Sequence, residues 1–338
     1  MSLPLFLGLP SCARAFRLRT GRGEFAGLES LPPEGVARRG SALLVPGFTG
    51  SKEDFLALLE PLARRGFRVV AVDGRGQHES GGPREESAYA QDELAQDILA
   101  QAAAIAAQDG LAQTTARTGH GQATARTGLA QEAPHTGLTQ KATTPAAAQK
   151  PPAAGGEPLH LLGHSLGGLI TRAAVLKDPS PFASYTIMAS GPAAICEAQQ
   201  ARTRILIDAL GRFDMETVWR SMRTLDPPEA ANAATPPAVA EFLYRRWLNT
   251  VPEQLVATGG QLLVEPDRVA ELAAVPLPKH VLSGAVDYAW PIPLMDDMAV
   301  RLRAHRTVIE GAEHSPGVER PGPTAEAMAD FWERHASA

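Results

Sequence analysis

Six short apolar runs, separated by stretches of helical periodicity, constrain the fold of this chain more than any other feature. The runs are SALLV (41–45), FRVVAV (67–72), LHLL (159–162), SYTIMA (184–189), KHVLS (279–283) and RTVIE (306–310). Continuous rather than alternating apolarity is typical of strands buried on both faces of a parallel sheet. The sequence therefore predicts an α/β fold with a doubly wound, mostly parallel sheet.

Helical patterns occupy several of the intervals between these runs. The clearest cover residues 51–66, 88–107 and 324–332. Ahead of the first run, residues 13–20 and 24–31 have the composition of two strands around a glycine-containing turn. We expect the helices to cover both faces of the sheet and the hairpin to precede it.

Two segments interrupt this alternation. Residues 109–156 are of low complexity, with TARTG repeated and few large apolar residues, so they cannot bury enough surface to offset the entropy of ordering. We expect a disordered insertion at the N-terminal edge of the strands, away from the carboxyl edge where α/β sites lie. Residues 192–275 have helical patterns and follow the carboxyl end of a strand, which predicts a helical cap. Residues 1–191 and 276–338 then form the core.

Composition argues against several classes of function. The net charge of −5 gives no electrostatic footprint for nucleic acid, and no apolar run is long enough to span a membrane. No phosphate-binding or dinucleotide-binding glycine motif and no metal-spaced His/Cys cluster occurs, so we expect neither cofactor nor metal. Cys12 and Cys196 are too few for a disulfide framework and favour a reducing cytoplasm, and the N-terminus lacks the basic start of an export signal. These features leave the oligomeric state open.

The run at 159–162 leads directly into Gly163-His164-Ser165-Leu166-Gly167, a G-x-S-x-G pattern, and apolar residues at helical spacing follow it. Strand, sharp turn and helix are the context in which this pattern exposes a nucleophilic serine. Glycines at both ends suit a strained turn that other chain segments approach closely. We therefore predict that Ser165 is a nucleophile and that His164 braces the turn.

A nucleophilic serine requires a base and an acid that orients the base. Asp287 directly follows the run at 279–283, and His314 follows the run at 306–310, so both lie at the carboxyl edge in the order serine, acid, histidine. The alternatives fit this order and placement less well: Asp208, Asp214, Asp226, Asp296, Asp297, His120, His135, His280, His305 and His335. The predicted catalytic residues are Ser165, Asp287 and His314.

Acyl transfer also needs donors for the oxyanion. The backbone N–H of Leu166 stands at the start of the helix after the serine, and that of Phe48 lies in the loop after the first apolar run. Gly47 allows that loop to approach the serine, whereas Pro46 supplies no donor. We predict an oxyanion hole formed by the N–H groups of Phe48 and Leu166.

With these motifs in place, the chain resembles the α/β-hydrolase superfamily, in particular lipase- and esterase-like members with a helical cap, including monoacylglycerol-lipase-like hydrolases. The resemblance rests on PGFTGS (46–51), GHSLGG (163–168), SGAVDYAWP (283–291) and GAEHSP (311–316), with DGRGQHESGGP (73–83) as the glycine-rich loop of the family. It covers residues 41–108 and 157–335. One departure is that the oxyanion loop begins with Pro46-Gly47 where His-Gly is frequent, so its side-chain support is expected to differ.

The resemblance implies the α/β-hydrolase fold and a cofactor-independent serine hydrolase that cleaves a carboxylic ester of a small molecule through an acyl-enzyme. Amide hydrolysis, C–C bond hydrolysis and acyl transfer use the same residues and stay open, as does a hydrolase-fold protein that only binds a ligand. The sequence does not identify the substrate.

Overall fold

Eight strands form one sheet in the computed structural model, which describes residues 2–121, 157–225 and 235–336. The strands are β1 (Ala13–Thr20), β2 (Gly23–Ser30), β3 (Gly40–Val45), β4 (Phe67–Val72), β5 (Leu159–His164), β6 (Ser184–Met188), β7 (Lys279–Gly284) and β8 (His305–Ile309). Their order is β1-β2-β4-β3-β5-β6-β7-β8. Strands β3 to β8 run parallel to one another, whereas β1 and β2 form an antiparallel hairpin whose second strand pairs antiparallel with β4.

The six apolar runs coincide with β3 to β8, and the predicted hairpin coincides with β1 and β2. Every residue of β3, β4, β5, β6 and β7 is buried, as continuous apolarity requires of strands covered on both faces. Strand β8 is partly exposed because it forms one edge of the sheet. The prediction of a doubly wound, mostly parallel sheet is confirmed.

Helices cover both faces of the sheet. Within the described residues they are α1 (Leu56–Arg64), α2 (Gln91–Gly121), α3 (Leu166–Lys177), α4 (Glu197–Leu210), α5 (Met215–Leu225), α6 (Pro237–Asn249), α7 (Pro252–Val264), α8 (Val269–Ala274), α9 (Ile292–Leu302), α10 (Pro316–Glu319) and α11 (Pro321–His335). Helices α1 and α11 pack on one face, and α2, α3 and α9 pack on the other. None of the helices in the described ranges is long and apolar enough to cross a membrane.

Helices α4 to α8 lie in the segment 192–275, between β6 and β7. Two buried ion pairs join this segment to the rest of the protein. Asp54 Oδ1 lies 2.7 Å from Arg246 Nη1, and Glu265 Oε1 lies 2.7 Å from Arg172 Nη2. Burial raises the pKa of Asp54, although Arg246 opposes that rise. Residues 226–234, including Asp226, lie outside the described residues.

The structure differs from the predicted disordered insertion at the start of the segment 109–156. Helix α2 continues to Gly121, so the boundary at 109 is placed too early, and residues 122–156 lie outside the described residues. The side chain of Asp109 is buried and pairs with the guanidinium groups of Arg38 and Arg68. Arg38 Nε also lies 2.5 Å from Glu157 Oε2, so one arginine contacts residues near both ends of the segment.

Candidate active site

Ser165 lies on the sharp turn between β5 and α3, with φ 54° and ψ −122°. Positive φ is uncommon for a residue other than glycine, and its strain has to be offset by the surrounding packing. A Cβ on Gly163 would lie 2.3 Å from the carbonyl oxygen of Gly167, and one on Gly167 would lie 2.5 Å from that of Val45. The two glycines of the motif therefore permit the close backbone approach that the sequence predicted.

Ser165, His314 and Asp287 form a continuous chain of hydrogen bonds. Ser165 Oγ lies 3.0 Å from His314 Nε2, and His314 Nδ1 lies 2.8 Å from Asp287 Oδ2. The acid follows β7 and the histidine follows β8, so two strand ends at the same sheet edge deliver both groups to the serine. This geometry allows His314 to accept the proton of the serine hydroxyl while Asp287 stabilises the imidazolium.

The carboxylate of Asp287 is fixed by further contacts. Its Oδ1 accepts the backbone N–H groups of Ala289 at 2.7 Å and Trp290 at 3.0 Å, which leaves Oδ2 for His314. The side chain has no solvent exposure. Because both oxygens have partners, the acid can orient the histidine in only one way.

Two aromatic rings flank the imidazole of His314. The ring of Tyr288 lies 4.7 Å from it between centroids, and the indole of Trp290 is stacked at 6.3 Å. Burial raises the pKa of Tyr288 to about 12, so its hydroxyl stays neutral at ordinary pH. Sequence reasoning did not single out these rings, although both belong to the SGAVDYAWP motif that carries the acid.

The predicted oxyanion loop lies against the nucleophile. A Cβ on Gly47 would be 2.9 Å from Ser165 Cβ and 3.2 Å from the carbonyl oxygen of His164. The N–H of Leu166 is the first of α3 and has no acceptor within that helix. The structure thus places Gly47 beside Ser165, and α3 begins directly after that serine.

Phe48 also connects this loop to the segment 192–275. Its Cζ lies 3.4 Å from the position of a Cβ on Gly259 of α7, and Ile207 of α4 approaches the same glycine. The ring packs both on the sheet core and on a cluster that includes Trp247 and Leu255. One side chain of the oxyanion loop therefore contacts both the sheet core and the helices of the segment 192–275.

The other candidate acids and histidines lie elsewhere. Asp208, Asp296 and Asp297 form exposed ion pairs with arginines, and Asp214 accepts the N–H of Thr217. Burial lowers the pKa of His280 to about 3. His305 and His335 both lie beside Phe331 of α11. No side-chain position is described for His120, and His135 lies outside the described residues.

One group of potential metal ligands lies beside the oxyanion loop within the described residues: Glu53, His78 and Glu79. The ammonium of Lys52 is 2.8 Å from Glu53 Oε1, 2.9 Å from Glu79 Oε2 and 3.0 Å from Asp73 Oδ2. A lysine held by three carboxylates already supplies the positive charge that a cation would bring. The cluster is best explained as an ion network around the buried ammonium of Lys52 that supports the loop.

Comparison with known proteins shows that this chain is an enzyme of the hydrolase class. The sequence matches the model of the alpha/beta hydrolase family over residues 42–327, and the chain therefore belongs to that family. A pimeloyl-acyl-carrier-protein methyl ester esterase from Aeromonas hydrophila is 29% identical over 183 residues, which is 52% of this chain and 70% of that protein. Its counterpart from Edwardsiella ictaluri is 30% identical over 180 residues, which is 50% and 67%.

Solved structures resemble the fold over nearly the whole chain. A thermophilic esterase from Thermogutta terrifontis has a TM-score of 0.63 at 19% identity and covers 96% of this chain and 100% of its own. An enol-lactonase from Burkholderia xenovorans has a TM-score of 0.65 at 14% identity, with coverages of 94% and 99%. At these identities the likeness concerns the fold alone, whereas the sequence relatives show an esterase-type hydrolase.

Proposed function

We propose that this protein is a serine hydrolase that cleaves a carboxylic ester through an acyl-enzyme intermediate. The observation that carries the proposal is the chain Ser165–His314–Asp287, with links of 3.0 and 2.8 Å, on an elbow whose serine has positive φ. A serine hydroxyl is a weak nucleophile unless a positioned base takes its proton, and this arrangement supplies that base.

In the first step, Ser165 Oγ attacks the ester carbonyl while His314 Nε2 takes the hydroxyl proton. Asp287 stabilises the imidazolium, and the N–H groups of Phe48 and Leu166 hold the oxyanion of the tetrahedral intermediate. The intermediate collapses when the bond to the alcohol oxygen breaks and His314 returns its proton to that oxygen. The acyl group then remains on Ser165.

In the second step, His314 takes a proton from water, and the resulting hydroxide attacks the acyl-enzyme carbonyl. The same two N–H groups hold the second oxyanion. Collapse breaks the bond to Ser165 Oγ, His314 returns the proton to the serine, and the acid leaves. Both steps use the same side chains, because the two reactions mirror each other.

Three observations bear on the substrate. The sequence relatives are named as pimeloyl-acyl-carrier-protein methyl ester esterases, which favours an ester. Ser165 and His314 are each only 8% exposed, which suits a small molecule better than a polymer. The packing of Phe48 against α4 and α7 supports the proposal that residues 192–275 act as a cap over the site. A cytoplasmic location is kept as a prediction from cysteine usage.

Labelling with a fluorophosphonate tests the proposal, because the reagent forms a bond only with an activated serine. Wild-type protein should be labelled stoichiometrically, and Ser165→Ala should abolish labelling. Ser221→Ala is a matched control, since Ser221 is exposed on α5 and its hydroxyl donates to Thr217 of the same helix. Folded wild-type protein that resists labelling would favour the ligand-binding alternative.

A graded panel of p-nitrophenyl esters, from acetate to palmitate, then reports the acyl length that the site accepts. The matched anilides test amide hydrolysis, and an added alcohol tests acyl transfer. We expect ester turnover to exceed anilide turnover by orders of magnitude. Equal or faster anilide turnover would contradict the assignment as an esterase while keeping the serine mechanism.

A further inference from the structure

The glycine-rich loop 73–83 contains a buried glutamine whose amide is fixed at both ends. Gln77 is 5% exposed, and its Oε1 accepts the backbone N–H of Gly74 at 2.8 Å. Its Nε2 donates to the carbonyl oxygen of Gly47 at 3.0 Å. A backbone N–H can only donate and a carbonyl can only accept, so these two partners determine the orientation of the amide.

The carbonyl that Gln77 holds belongs to the same peptide unit as the N–H of Phe48. A trans peptide is planar, with its C=O and N–H directed to opposite sides. A donor that fixes the direction of the Gly47 carbonyl therefore also fixes the direction of the Phe48 N–H. The N–H of Gly50 reaches the same carbonyl oxygen at 3.1 Å, so two donors hold this peptide.

The same loop also holds the far side of the oxyanion loop. Asp73 Oδ1 accepts the backbone N–H of Lys52 at 2.8 Å, and Asp73 Oδ2 accepts that of Glu79 at 3.2 Å. Asp73 therefore anchors the end of the segment that follows Phe48, whereas Gln77 anchors the peptide next to Ser165. Of the two, only Gln77 bonds to the peptide that presents a predicted oxyanion donor.

We propose that Gln77 is a positioning residue of the reaction, which aims and polarises the Phe48 N–H toward the oxyanion through the carbonyl of Gly47. The inference rests on the proposed serine hydrolase function. It also explains how an oxyanion loop that begins with Pro46-Gly47, where His-Gly is frequent, is supported. The supporting side chain comes from the glycine-rich loop 73–83. A hydrogen bond accepted by a peptide carbonyl strengthens the N–H of that peptide as a donor, so the effect is electrostatic as well as geometric.

Two substitutions separate positioning from folding. Gln77→Met keeps the volume and removes both polar groups, whereas Gln77→Glu keeps an acceptor for the N–H of Gly74 and turns a carboxylate oxygen toward the carbonyl of Gly47. Losing one direct oxyanion donor costs about 10²–10³ in kcat, so an indirect loss should cost roughly 10–100-fold. We expect that drop for p-nitrophenyl butyrate, larger in Gln77→Glu, with KM changed less than about threefold.

A hexyl trifluoromethyl ketone, which forms an oxyanion on the serine, provides the second readout. Its inhibition constant should rise by about the same factor by which kcat falls, because both depend on the same donor. Gln101→Met is the matched control, since Gln101 is a buried glutamine on α2 that lines the same cavity as Gln77 but, within the described residues, forms no hydrogen bond with the oxyanion loop. The control should leave kcat and the inhibition constant within about twofold of wild type.

Each outcome has a defined meaning. Unchanged kcat, or reduced kcat with unchanged ketone affinity, would overturn the role of Gln77. Failure of both Gln77 variants to fold, judged by thermal unfolding, would make the residue structural and also overturn it. Wild-type protein that neither reacts with a fluorophosphonate nor cleaves any ester would instead remove the proposed function itself.

Discussion

His164, the residue immediately before Ser165, donates its Nε2 hydrogen to the backbone carbonyl of His314 at 2.8 Å. The carbonyl can only accept, so this nitrogen carries the proton. Burial lowers the pKa of His164 to about 4, and the ring therefore stays neutral at ordinary pH. We predicted that His164 braces the elbow, and its bond extends to the loop that carries the base. The positions of the serine and its base are thereby linked by one side chain.

Replacing His164 tests this link. We expect His164→Ala to lower kcat about tenfold, because the carbonyl of His314 loses its buried donor, and a buried acceptor without a partner costs about 1–3 kcal/mol. His164→Gln places an amide donor at similar reach and should recover most of the activity. Steady-state kinetics and thermal unfolding measure both effects. A glutamine variant as impaired as the alanine variant would show that ring packing, not the bond, matters.

The acid of the triad offers a second test. In Asp287→Asn, Oδ1 still accepts the N–H groups of Ala289 and Trp290, and the amide nitrogen faces His314 Nδ1. The imidazole is then forced into the wrong tautomer, and kcat should fall by about 10⁴ with folding preserved. Asp296→Asn is the control, because the exposed side chain of Asp296 pairs with Arg306 and, among the described residues, with no group of the site. Ester hydrolysis within tenfold of wild type in Asp287→Asn would exclude that residue as the acid.

The close approach of Gly47 to Ser165 can be tested with two glycine substitutions, one in the oxyanion loop and a control outside it. A Cβ in Gly47→Ala would stand 2.9 Å from Ser165 Cβ and 3.2 Å from the backbone of His164, so we expect a loss in kcat/KM of at least about a hundredfold. In Gly260→Ala, on helix α7, nothing lies within 4 Å of the new methyl group. That change should add about 0.5–1 kcal/mol to the free energy of unfolding without altering kcat. Chemical denaturation and kinetics on both variants test the contrast.

The burial of the His160 imidazole predicts that the stability of the protein depends on pH. Burial lowers the pKa of His160 from 6.5 to about 3. The unfolded chain therefore binds a proton that the folded chain does not, so stability is lost as the pH falls below 6.5. The ring stacks on Trp332 at 5.4 Å and bonds to Ser184 at 2.8 Å.

His160→Phe removes this titration while keeping the stacked ring. Between pH 7 and pH 5 its free energy of unfolding should rise relative to wild type by about 2 kcal/mol. Urea unfolding at the two pH values measures the difference between the proteins, in which the titration of other groups cancels. A constant difference would contradict the burial of a neutral His160.

The contacts of Arg38 lead to a prediction for the segment 109–156. Because Arg38 pairs with both Asp109 and Glu157, the chain on either side of the segment is already held together. Replacing residues 112–154 by a short Gly-Ser linker should leave hydrolysis of p-nitrophenyl butyrate within about threefold of wild type. Activity and thermal unfolding are measured together. A loss of activity in a folded variant would mean that the segment contributes to the site.

Much of the site could be predicted because its parts are local. The elbow is a strand, two glycines and a helix within a few residues, and Asp287 and His314 each follow an apolar run directly. Parallel strands end at one sheet edge, so their order along the chain already implies convergence. The triad geometry agrees with those assignments, whereas its role in catalysis stays a prediction for the experiments above.

The strand pattern, the elbow and the order of the three reactive side chains follow from the sequence alone, because burial periodicity and turn chemistry act over short separations. The groups that support these features are visible only in the folded protein. Gln77 bonds to Gly47, His164 to the carbonyl of His314, and Arg246 to Asp54. The two residues of each pair are 30 to about 190 positions apart in the sequence. Such partners depend on how helices and loops pack on the sheet, and no local pattern in the sequence encodes which polar group will face which.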